Sequence, residues 1–140
     1  MTYLAPILDG DISRVDPTTL TFHKIHQLGL ISSDGKKGQW ASDIMRESGM
    51  TVKLRIPSSI PTGKYVLRHE LLALHGAQKK GNAQFYPICA NLEVQGNEGA
   101  KLGGEGVKFP GAYSSSDPGV DINIHKGVKS YVSSETPRGG

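Results

Sequence analysis

The chain has 140 residues, of which 36% are hydrophobic, enough for one domain with a modest packed core and too many for a disordered segment. Its formal net charge of +3 comes from scattered basic residues, and no Lys/Arg run interleaved with aromatics marks a nucleic-acid surface. No window has the apolar length of a transmembrane helix, and Met1-Thr2-Tyr3-Leu4-Ala5-Pro6 has neither the basic start nor the apolar core of a signal peptide. The expectation is therefore no nucleic acid and no membrane. Cys89 is the single cysteine, so no internal disulfide can form; it belongs either to a reducing compartment or to a pair whose partner lies elsewhere.

Strand signals dominate in chain order. Thr18 to Ile25 is rich in β-branched and aromatic residues. Trp40 to Ser48 is the only stretch with helical character, and it is short. Val52-Lys53-Leu54-Arg55-Ile56 alternates apolar and polar, as a half-buried strand does, and Pro57 with Pro61-Thr62-Gly63 ends it. Tyr65 to Leu74 is the longest strand candidate; its apolar residues on both faces predict a central position. A polar loop, Gly76 to Ala83, leads to a further strand, Tyr86 to Val94, with Ile88, Ala90, Leu92 and Val94 on one face. Gln95 to Gly106 reads as a glycine-rich loop, Asp117-Pro118-Gly119 as a turn, and Val120 to Ile124 as another alternating strand. After Lys126 the sequence is polar and reads as a loose tail, so the expected division is a domain over 1–125 and a tail over 126–140. Short strands separated by turns predict an all-β, immunoglobulin- or fibronectin-like antiparallel sandwich with long loops.

Strand parity collects one chemically interesting group. Tyr65, Leu67, His69, Leu71, Ala73 and His75 share a face of the long strand, and Gln84 and Tyr86 share a face of the next. Across an antiparallel hairpin, an imidazole, a carboxamide and a phenol then meet near the loop. Such groups suit oxygen chemistry beside a metal, as proton donor, amide anchor and weak axial neighbour. A lone histidine beside a hairpin loop is, however, more often a structural hydrogen-bonder, and parity alone does not decide between the two. His23 and His26 read as surface groups; their spacing on a strand points them to opposite faces and does not make a metal site.

Longer strings carry more information. Ile56 to Glu70 (IPSSIPTGKYVLRHE) followed by Leu74-His75, and Ala83 to Leu92 (AQFYPICANL), resemble the IPSSIxxGxYVLRHExxALH and AQxYPxCxNL segments of fungal copper-dependent lytic polysaccharide monooxygenases of auxiliary activity family 9, formerly glycoside hydrolase family 61. Asp16-Pro17-Thr18-Thr19-Leu20-Thr21-Phe22, Gly38-Gln39-Trp40-Ala41-Ser42-Asp43, Phe109-Pro110-Gly111-Ala112-Tyr113 and Asp117-Pro118-Gly119-Val120 also match in order. The resemblance runs from about Tyr3 to Ile124 and is to the later part of that family's domain.

The resemblance implies a copper cofactor, oxidative cleavage of cellulose or another β-glucan, an external electron donor, a monomer and an extracellular, disulfide-bonded protein. It places Tyr86 at the axial metal position and His75 and Gln84 at the pair that hydrogen-bonds the copper-bound oxygen species. Two histidines hold copper in the family, the first at the mature N-terminus. Met1 occupies neither place, and His23, His26, His69 and His125 match neither. The expectation is a C-terminal part, without its N-terminal strands, that is inactive alone. His69, in the RHE segment, is expected to be structural or buried. Cys89 matches a family cysteine whose partner lies in the earlier half. Tyr131 resembles the surface tyrosine that stacks on polysaccharide, while an ordinary tail tyrosine fits it equally; Trp40 reads as a packing residue. The alternative function is a non-catalytic β-sandwich module binding carbohydrate or protein.

Overall fold

The computed structural model describes residues 1–8, 11–95 and 102–133. Its main sheet has four antiparallel strands in the order β2-β1-β5-β6: β1 Thr2–Ile7, β2 His23–His26, β5 Gly63–Ala73 and β6 Gln84–Val94. A small hairpin joins β3 (Leu30–Ser33) to β4 (Gly38–Trp40), and the one α-helix among the described residues, α1 (Ala41–Glu47), follows directly. The sandwich expectation holds: the strands are antiparallel, helix is minimal, and the fold matches the β-sandwich of the solved relatives described below. Among the described residues no helix is long and apolar enough to cross a membrane.

Strand β5 takes the central position that its two apolar faces predict. It pairs along Thr2–Ile7 of β1 on one side and along all eleven residues of β6 on the other. One face of the sheet packs Tyr3, Ala5 and Val66 against Phe22, Phe109 and Ala112. The other gathers Leu4, Tyr65 and Ile60, with Ile56, Leu67, Leu92 and Val94 around them. Strand β6 lies at the sheet edge, and of its predicted apolar row only Leu92 and Val94 join a core; Ile88 is 72% exposed.

Three sequence expectations give way to local hydrogen bonding. The strand predicted over Thr18 to Ile25 forms only from His23: Asp16 caps a 3-10 turn over Pro17–Thr19, its carboxylate accepting from the Thr18 N–H at 2.9 Å. Pro17 suits the first position of that turn and donates no ladder bond. The strand predicted over Val120 to Ile124 is instead turn and 3-10 helix. The carbonyl of Asp117 accepts from Val120 and Asp121 N–H, both at 2.8 Å, and Asn123 caps the 3-10 turn over Ile124–Lys126. Asp and Asn offer the backbone these local partners and so compete with a ladder. Val52 to Ile56 belongs to no sheet among the described residues, because alternation favours a half-buried face but a ladder also needs a neighbour. The helix is found as read, with the Asp43 carboxylate accepting from the Trp40 N–H at 2.9 Å.

Candidate active site

The β5–β6 ladder ends at the pair Ala73–Gln84, and His75 stands two residues beyond it on the connecting loop. Leu71 pairs with Tyr86, so Gln84 and Tyr86 lie on one face of the edge strand. The Tyr86 hydroxyl donates to Gln84 Oε1, which leaves the Gln84 amide N–H groups as the donors it can offer. His75 is exposed and Tyr86 is 54% exposed. His75 and Tyr86 line a cavity of about 440 Å³ together with Met1, Trp40, Leu71 and Tyr131. Gln84 is not part of that lining and reaches it only through the Tyr86 hydroxyl.

Tyr131 is half-buried. Its ring meets Trp40 edge to face with centroids 5.3 Å apart, and its hydroxyl donates to the Gly119 carbonyl at 2.8 Å. Burial pushes its phenol up to about 12. Residues 127–131 thus lie along the β3–β4 hairpin, while 134–140 fall outside the described residues, as do residues 96–101 of the predicted glycine-rich loop. Trp40 packs as read from the sequence.

Cys89 is exposed and free, and it borders a second cavity of about 480 Å³ on the opposite face of the sheet, with Arg68, Phe85, Phe109 and Tyr113. His69 is structural: Thr2 Oγ1 lies 2.8 Å from its Nδ1, and burial holds its pKa below the usual histidine range. His23 and His26 are half-buried rather than fully on the surface, because the β1–β2 ladder holds both and Gly106 lies against the His23 ring. A register shift in that ladder breaks strict alternation between the two histidines, yet no group of three or more His, Cys, Asp or Glu able to hold a metal is gathered among the described residues.

Behind the site lies a buried polar cluster that strand parity alone does not single out. Glu70 is fully buried; it accepts from Arg68 Nη2 at 2.8 Å and from the Tyr113 hydroxyl. The Tyr113 and Tyr3 hydroxyls are 2.5 Å apart, and the Arg68 guanidinium lies 4.0 Å over the Phe109 ring. Burial raises the Tyr3 phenol to about 12 and holds Tyr113 higher still. The available signal was Arg68 and Glu70 at alternate positions of a largely apolar strand, where two charges on one inward face need each other.

The longest hairpin of this antiparallel β-sandwich thus carries His75, Gln84 and Tyr86 at one end. The sequence profile of Auxiliary Activity family 9 (formerly GH61) matches residues 1–132, and the chain belongs to that family. It is 46% identical over 133 residues to AA9 family lytic polysaccharide monooxygenase B of Geotrichum candidum, covering 94% of this chain and 35% of that protein. With AA9 family lytic polysaccharide monooxygenase A of Thermoascus aurantiacus it shares 44% identity over 132 residues, covering 94% and 57%. The extended catalytic domain of H. jecorina LPMO9A superposes with a TM-score of 0.84 at 43% identity, covering 94% of this chain and 51% of that one. The chain therefore spans between about a third and somewhat over half the length of these relatives.

Proposed function

We propose that this chain carries the oxygen-side groups of copper-dependent oxidative cleavage of cellulose or a related β-glucan. The observation that carries the reading is the shared edge of one cavity by His75 and Tyr86, with Gln84 tied to Tyr86 through its hydroxyl. Copper would supply the one-electron chemistry. The donors present among the described residues do not make a copper site by themselves: Tyr86 is one weak oxygen ligand, and three nitrogen donors do not converge around it. In this reading His75 would act as hydrogen-bond and proton donor at the cavity, Gln84 fixes the Tyr86 hydroxyl and would offer its amide, and Tyr86 would lend its phenol oxygen as a weak ligand to copper. Tyr131 lines the same cavity, and what its half-buried ring leaves open is the surface it could offer a sugar. A secreted protein and an external electron donor complete the proposal, as does pairing of Cys89 with a cysteine outside this chain.

The test is a graft. Placed in the Thermoascus aurantiacus relative in exchange for the 132 residues it matches, the segment should yield oxidised oligosaccharides from cellulose with copper and ascorbate. His75→Ala or Gln84→Ala in that graft should lower the yield by about ten- to a hundredfold. A folded graft that forms no oxidised product would overturn the reading and leave a non-catalytic carbohydrate- or protein-binding module. For the 140 residues alone, calorimetric titration should show no submicromolar copper binding; a tight site with three nitrogen ligands by electron paramagnetic resonance would contradict that part.

A further inference from the structure

His75 is placed by more than its own loop. The turns between β5 and β6 close on the carbonyls of Leu74, Gly76 and Lys79, which accept from Ala77, Lys79 and Asn82 N–H at 3.0, 3.2 and 3.0 Å. The carbonyl of His75 takes its bond from elsewhere: His125 Nε2 lies 3.0 Å from it, fifty residues away in sequence. A carbonyl can only accept, so Nε2 carries the proton.

The other end of this contact is held firmly. Asn123 Oδ1 accepts from the His125 N–H at 3.0 Å. Two residues on, Gly127 has φ +76°, and its α-carbon packs so close to the Gly35 carbonyl that no side chain fits between. Tyr131 then fastens the segment to Trp40 and to the Gly119 carbonyl. His125 therefore projects from a fixed strut, whereas His75 sits on an exposed loop two residues past the last ladder pair.

We infer that His125 is a positioning residue: its imidazole clamps the His75 carbonyl to the C-terminal segment and so sets where the His75 ring stands at the cavity edge. The catalytic value of this clamp rests on the role given to His75 above, but the contact itself can be tested without copper or substrate. In nuclear magnetic resonance of the chain, His125→Phe should shift the His75 Cε1–H resonance. It should also speed hydrogen exchange at Ala77 and Lys79 about fivefold relative to Val66 in the sheet, the loss of one ordinary hydrogen bond. His125→Gln keeps an N–H donor and should restore both to within about twofold of the parent, the range of a conserved bond. An unchanged His75 signal and unchanged exchange in His125→Phe would sink the inference, as would His125→Gln behaving like His125→Phe. A graft that forms no product leaves this result standing, and failure here leaves the chemistry of His75 untouched.

Discussion

Glu70 shows how a single buried carboxylate organises the back of the site. It takes hydrogen bonds from Arg68 and Tyr113, and Tyr113 in turn meets Tyr3. Replacing it by alanine strands a largely buried guanidinium and removes the acceptor of a buried phenol. Breaking one partner of a buried pair costs about 3–5 kcal/mol. Glu70→Ala should therefore lose about that much in urea unfolding, while Tyr113→Phe should lose about 1–2 kcal/mol. His69 makes the residue-scale prediction in pH. Burial lowers its folded pKa, so the unfolded chain binds the proton more readily. That contribution is fully present above the unfolded value of about 6.5 and is lost as pH falls below it. The melting temperature should drop between about pH 7 and pH 5, and His69→Gln should flatten the slope over that range.

At the scale of elements, the long hairpin and the C-terminal strut decide the site. β5, paired along both edges, buries Tyr65, Val66 and Glu70, whereas β6, paired along one edge among the described residues, leaves most of its residues exposed. The strut depends on two glycines. A side chain at Gly29 would stand 2.5 Å from the Tyr131 ring, and one at Gly127 would meet the Gly35 carbonyl with φ already positive. Gly127→Ala should destabilise by about 1–3 kcal/mol through the left-handed backbone alone. Gly29→Ala should displace Tyr131 from Trp40, and because Trp40 is the only tryptophan, its fluorescence reports the change directly.

For the whole molecule, the apolar surface left open is the dominant fact. Ile88 at 72% and Tyr86 at 54% stand on the free edge strand, and Leu71 is exposed beside them. An unpaired edge with exposed apolar side chains is a template for self-association. The isolated chain should elute with concentration-dependent apparent mass in size-exclusion chromatography, and Ile88→Lys should shift it toward monomer. A concentration-independent monomer in the parent would refute the prediction.

Much of this was legible in the sequence because it depends on short-range regularities. The apolar run of Tyr65 to Leu74 sets a central strand, period-two parity sets Gln84 and Tyr86 on one face, and the RHE and AQFYPIC segments carry the family. Patterning could not tell Val52 to Ile56 or Val120 to Ile124 from true strands, since a ladder needs a partner whose position the local sequence does not hold. Neither could it see that His125 reaches the His75 carbonyl, or that Tyr3, Glu70 and Tyr113 meet, because these contacts join residues 50, 67, 43 and 110 apart. Fold class and the shared face of Gln84 and Tyr86 are written in residue type and spacing; the packing of Tyr131, the clamp on His75 and the buried cluster are decided only when the chain closes, as hydrogen bonds and burial depend on distance in space.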